Sequence, residues 1–154
     1  MTKIDLTLEK AMKAYDEAES LEVKNAIANL IGKEHFDPYI KACIILNIKP
    51  KPELEDKSDD REVWADNALR LSICVEAKNI FNGKIWKPKY DGSEQHWYPV
   101  PDMRETSGFG LSYTAYAAWA ASSTVGSRLE YRERKLAEEG FKEFKKYYKI
   151  HYTK

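Results

Sequence analysis

A change of period near Gly83 constrains this chain more than any other feature. Up to about Asn82, apolar residues recur every three or four positions, as on the buried face of a helix. Beyond Gly83 they fall in short alternating runs broken by turn residues, the pattern of strands. Helical segments followed by strand segments predict an α+β fold. The expected architecture is a helical N-terminal half packed on a small antiparallel sheet, made of a hairpin plus one or two further strands. A C-terminal amphipathic helix closes it. At 154 residues the chain has the size of one domain. It divides into a helical part (1–58), a long central helix (59–82), a strand-rich part (83–131) and a terminal helix (132–150).

Thr7 to Glu19 reads as a first helix, with Leu8, Met12, Tyr15 and Ala18 on one face. Ser20 can cap a second, in which Val23, Ile27, Leu30 and Ile31 form the apolar stripe and Gly32 the stop. Asp37-Pro38 signals a third start, with Asp as the cap and Pro in the first turn. The segment Tyr39 to Ile48 is apolar nearly all round and is expected to be buried. Lys49 to Ser58, with Pro50 and Pro52 among many charges, reads as a loop. Asp59 or Asp60 then caps the central helix, whose wide face takes in Trp64, Ala68, Leu71 and Val75 together with Leu69, Ile73 and Ala77.

In the second half, Lys84 to Tyr90 and Gln95 to Val100 are expected to pair through Asp91-Gly92, a hairpin signal. Phe109 to Tyr113 and Val125 to Tyr131 are the next strand candidates. The last helix turns Leu136, Ala137, Phe141, Phe144 and Tyr148 inward.

Twenty-five basic and twenty-five acidic side chains cancel. A protein held to nucleic acid by phosphate attraction usually shows a basic excess, so the overall balance disfavours that partner. Local asymmetry remains, because Arg132 to Lys154 holds eight bases against four acids. No stretch reaches the ~20 apolar residues of a membrane span, and the charged start does not read as a signal peptide. Cys43 and Cys74 both sit in apolar stretches and read as buried thiols. The expectation is a cytoplasmic protein with no membrane partner.

The histidines and cysteines show no metal-ligand spacing, and neither a nucleophile elbow nor a phosphate-binding lysine loop occurs. No catalytic residue, metal or cofactor is therefore assigned. Glu94-Gln95-His96 does put a carboxylate beside an imidazole, an arrangement general base catalysis can use. The denser signal is a mixture of aromatic and polar residues. Trp86, Trp97 and Trp119 fall between Ile85 and Tyr131 with many tyrosines, interleaved with His96, Arg104, Ser127 and Arg128. Arg128 lies in an apolar run and needs a carboxylate, a phosphate or an aromatic face. The plainer account has the aromatics as the sheet's core and Arg128 paired with Glu62 or Glu138. The functional account is a pocket in which Trp86, His96, Tyr98, Ser127 and Arg128 hold an anionic, nucleotide-like ligand. Lys142, Lys145, Lys146 and Lys149 have the simple reading of a solvated face, beside that of a contact for nucleic acid or an acidic partner.

Trp86-Lys-Pro, Trp97-Tyr98-Pro99, Ser107-Gly-Phe-Gly-Leu-Ser112 and Val125-Gly-Ser-Arg-Leu129 occur in order, ahead of a helix closed by Phe-Lys-x-Tyr-Tyr. This combination, over roughly 62–150, resembles an uncharacterised family of short proteins from phages and mobile elements of gut Bacteroidales. The chain departs from that pattern at Glu130-Tyr131, where a Cys-Phe pair is expected, and at Arg132, where a Ser or Thr cap is expected. The resemblance implies a phage or mobile-element origin and carries over no catalytic residue.

Together these readings lead to a non-enzymatic binding protein acting in the host cytoplasm and antagonising a host defence. It would sequester a nucleotide-like ligand or occlude a host defence protein, and a homo-oligomer is compatible with it. The rivals are a virion structural or assembly protein, and a small enzyme using His96 with Glu94 or Asp91.

Overall fold

The computed structural model describes residues 8–52, 54, 59–89, 91, 93–102, 110–117 and 129–153. The fold is α+β, with six α-helices and two small antiparallel sheets among the described residues. It divides into two compact units, Met1–Lys51 and Pro52–Lys154.

The first unit is helical: α1 (Leu8–Glu17), α2 (Leu21–Ile31), a 3-10 turn (Lys33–His35) and α3 (Pro38–Leu46). Gly32 ends α2 at φ +92°, a backbone conformation that suits glycine. The side chain of Asp37 accepts from the Tyr39 amide at 2.9 Å, so the Asp-Pro start is realised as a true cap. Tyr15, Ala28, Phe36 and Ile44 form the core, and Met12, Ile27, Ile31 and Ile40 pack around it. The Tyr15 and Phe36 rings meet at 4.8 Å. The expected apolar stripe of α2 is only half used, because Val23 (49%) and Leu30 (73%) are exposed. Likewise α3 is not buried all round: Tyr39, Ala42, Cys43 and Ile44 are inside, while Ile45 faces out.

In the second unit, α4 (Asp60–Lys78) begins where the carboxylate of Asp59 accepts from the amides of Arg61 (2.6 Å) and Glu62 (3.1 Å). Leu71, Cys74 and Val75 are buried, but Trp64 is 41% exposed despite lying on the predicted inner face. The helix stops at Lys78, four residues before the expected end. Ile80–Phe81 (β1) instead pairs with Lys84–Ile85 (β2) across Asn82-Gly83. Both turn residues have positive φ, +51° and +71°, as a tight two-residue hairpin requires, so Gly83 serves a hairpin and not a helix stop.

That pairing also corrects the expected partnership of 84–90 with 95–100. His96–Asp102 (β3) pairs with Gly110–Ala117 (β4), with a register shift between Val100 and Pro101. On the other edge of β3, the Trp97 amide donates to the Tyr131 carbonyl at 2.8 Å and the Tyr131 amide returns a bond of 2.7 Å. Pro99 lacks an N–H on that same edge, since alternate residues of a strand point the same way, so the bridge cannot extend. Tyr131 is therefore a single bridge residue and not the end of a long strand, and 125–128 lie outside the described residues.

The expected terminal helix is two helices, α5 (Arg134–Glu143) and α6 (Lys145–Thr153), separated at Phe144. Ala137, Phe141, Phe144, Tyr147 and Tyr148 are buried. The Asn67 side-chain amide donates to the Tyr147 carbonyl at 2.8 Å, and Lys78 pairs with Glu143 at 2.9 Å and Glu139 at 3.5 Å, fastening α4 to both. No described helix is long and apolar enough to cross a membrane. Cys43 and Cys74 are buried and are not joined by a disulfide.

Candidate functional site

The hairpin of β1 and β2 carries the chain away from α4 and back, so Ile85, Trp86, Lys87 and Pro88 run beside that helix. Between them lies a groove of about 360 Å³, lined by Leu69, Ser72, Ile73, Val75, Glu76 and Asn79 of the helical side and by Glu130. Its walls are close to half polar and half apolar, and Trp86 supplies the one aromatic ring among the lining residues. Glu76 and Lys87 are exposed at this groove, and neither makes an ion pair among the described residues.

Trp86 is held in place from behind. Its ring meets the His96 ring edge-on, with centroids 5.7 Å apart at 85°. His96 is 1% exposed. Nδ1 lies 3.1 Å from Oε2 of Glu130, whose side chain is wholly buried, and Nε2 lies 3.8 Å from Oε1 of Glu94. A carboxylate cannot be taken out of water cheaply without a polar partner, and the imidazole supplies one. Glu94 is itself fixed, because it accepts from the Lys89 amide at 2.5 Å. The neighbouring turn is tied down by Asp91, which accepts from the Ser93 amide at 2.9 Å. Hydrogen bonds from the Ser93 side chain and from its amide hold the Asp91 carboxyl below its ordinary range.

The segment carrying Glu130 is clamped on both flanks. Asn79, at the end of α4, donates through Nδ2 to the Glu130 carbonyl at 2.7 Å and accepts through Oδ1 from the Arg132 amide at 3.1 Å. Next along, Tyr131 bridges to Trp97. The Arg132 guanidinium covers the Phe81 ring at 4.5 Å, which ties the hairpin back to the same segment.

Of the residues expected to form a pocket, Trp86 lines the groove and His96 lies beneath it. Tyr98, half-buried, is not among the groove-lining residues; it neighbours Tyr152, whose phenol is pushed up in pKa mainly by burial and further by Tyr98. Ser127 and Arg128 lie outside the described residues. Of the two acids considered as partners for Arg128, Glu138 accepts from Arg134 at 2.8 Å, and Glu62 is exposed. Glu130, Asn79 and Glu76 escaped the sequence reading. Glu130 carried a signal of the same kind as Arg128, a charge between apolar neighbours (Leu129 and Tyr131). No group of described histidines, cysteines and acids is arranged to hold a metal ion. No known protein family, curated protein or solved structure matches this chain.

Proposed function

We propose that this chain is a non-enzymatic binding protein of a phage or mobile element, acting in the host cytoplasm by sequestering a nucleotide-like ligand of a host defence. The observation that carries this reading is the groove between α4 and Trp86. Its aliphatic wall and indole suit a flat base, since every base offers a face for stacking. The Glu76 carboxylate suits an exocyclic amino group, and Lys87 suits a phosphate at the mouth, the role the sequence expectation gives to Arg128. His96 supports the indole in this reading and does no chemistry, which accords with its burial against Glu130.

Thermal shift with a panel of nucleosides and nucleotides tests it. A ligand at a hundred times its dissociation constant adds roughly 2.7 kcal/mol of stability. The expected result is a rise in melting temperature that Trp86→Ala abolishes and Arg128→Ala weakens for nucleotides more than for nucleosides. No rise with any member of the panel, or one that both variants retain, overturns the reading. A second reading, occlusion of a host protein, draws support from Phe81 (52%) and Ile85 (45%), which leave the hairpin apolar and exposed beside the groove. Its signature is a host polypeptide that Phe81→Ser releases while nucleotides leave the complex intact.

A further inference from the structure

We propose that Lys142, Lys145 and Lys149 form a contact for the phosphate backbone of a nucleic-acid duplex, independent of base sequence and separate from the groove. A zero net charge argues against such a contact only if the acids lie near enough to cancel the bases. On the C-terminal helices they are engaged elsewhere. Between Arg132 and Lys154 there are four acids, all glutamates. Glu133 is paired with Arg132 and Glu138 with Arg134. Glu143 is drawn to Lys78 of α4 at 2.9 Å, and Glu139 to Lys78 at 3.5 Å and Lys135 at 3.9 Å. Lys78 thus takes up the two acids placed to neutralise the lysines that follow. Lys142, Lys145 and Lys149 are exposed and make no ion pair among the described residues. Lys146, lying over the Tyr147 ring at 4.7 Å, adds a fourth exposed cation beside them.

The spacing suits a phosphate chain. Lys145 and Lys149 lie four apart on one face of α6, and Lys142 stands two residues before Phe144, near the end of α5. At 1.5 Å of rise per residue the α6 pair spans about 6 Å. A duplex rises about 3.4 Å per phosphate of one strand, so the pair faces about two phosphates, and Lys142 is assigned a third. Tyr147 and Tyr148, the rings next to these lysines on α6, are buried and offer no open face on which to stack a base. Attraction to phosphate without stacking favours the denser charge of a duplex over a single strand, and favours nucleic acid of any sequence.

Fluorescence anisotropy with a short labelled duplex, a single strand of the same sequence and poly-glutamate as competitor tests this on the full chain. Three phosphates predict a slope near −2.7 in log affinity against log salt, which is about a 40-fold loss between 50 and 200 mM. The triple Lys142→Gln, Lys145→Gln, Lys149→Gln variant, altered only at exposed positions, is expected to lose binding and keep its melting temperature. The corresponding triple arginine variant is expected to retain binding. Lys78→Gln, which releases Glu139 and Glu143 from their ion pairs with it, is expected to weaken binding without removing any of the three lysines. Absence of duplex binding at 50 mM salt overturns the proposal, as does an unchanged salt slope in the glutamine variant. Equal affinity for the single strand, or more effective competition by poly-glutamate than by unlabelled duplex, overturns it too.

Discussion

The phenol of Tyr131 fills the space that a side chain at Gly140 would occupy. A methyl group built at Gly140 runs into the hydroxyl and ring of Tyr131, and Tyr131 has no room to retreat because it is fully buried. Its hydroxyl lies 3.0 Å from that of Tyr148, and burial pushes both phenols far above their ordinary pKa. In an open helix Gly→Ala gains up to ~1 kcal/mol of helix propensity. Here overpacking, at about 1–3 kcal/mol, opposes and outweighs that gain. Gly140→Ala is expected to lower the urea midpoint, and Tyr131→Phe in the same chain to recover part of the loss. A more stable Gly140→Ala protein would show that the helix can shift away from the ring.

Asn79 stands in for a strand at the end of α4. Its side chain makes both bonds that a neighbouring backbone would make to the 130–132 segment. Asn79→Ala leaves a buried carbonyl and an amide without that partner, at about 1–3 kcal/mol for each group left unsatisfied. Asn79→Asp is expected to be nearly as harmful, since it keeps the acceptor for Arg132 but sets an oxygen against the Glu130 carbonyl. Thermal melts of the two variants check this. Asn79→Ala within a few tenths of a kcal/mol of the parent would mean that the clamp contributes nothing.

How much of this was legible in the sequence depended on how local each signal was. The caps at Asp37 and Asp59 and the inward set Ala137, Phe141, Phe144 and Tyr148 were readable, because a cap or a helical face is decided within a few residues. Asn82-Gly83 was also local, but two signals competed there. Gly83 reads as the end of a long helix, although the Asn before it marks a two-residue hairpin. That one choice displaced the strand partners that follow. Composition points to Trp86 as a ligand-binding residue, and the structure places it in the lining of a groove. Its opposite wall on α4 and its support from Glu130 were not legible, because they join residues some 10 to 44 positions apart through tertiary packing alone.

The pairing of His96 with Glu130 leads to a test by double-mutant cycle. Both side chains are essentially inaccessible, at 2% and 0%, with 3.1 Å between the nearest atoms. Removing one member of a buried polar pair leaves the other unsatisfied, a loss of about 1–3 kcal/mol, whereas replacing both with apolar groups of the same shape is often nearly neutral. His96→Phe and Glu130→Leu are each expected to destabilise strongly, and the double variant to be clearly better than the sum of the two. Strict additivity would mean that the imidazole and the carboxylate do not depend on one another. The same variants bear on Trp86, whose edge rests on His96, so ligand stabilisation should fall in His96→Phe more than in a surface control of matched stability.

Acid sensitivity should arise at the far end of α4. Trp64 stacks on His151, with ring centroids 5.4 Å apart at 20°, and its indole N–H donates to the His151 carbonyl at 3.2 Å. Burial lowers the pKa of His151 below its ordinary 6.5. The folded protein therefore binds fewer protons at this site than the unfolded chain in the window from 6.5 down to the folded value, and stability rises with pH across that window. The contribution is complete above pH 6.5 and is lost as the pH falls through the folded pKa, where burying the imidazole requires discarding a proton or accepting a desolvated charge. Melting temperatures followed from pH 7.5 to 5 should decline on the acid side, and His151→Phe, which keeps a ring against Trp64 but cannot titrate, should flatten that decline. An identical acid slope in the two proteins would place the sensitivity elsewhere, and a slope of the opposite sign would mean that the indole face stabilises the imidazolium more than burial disfavours it.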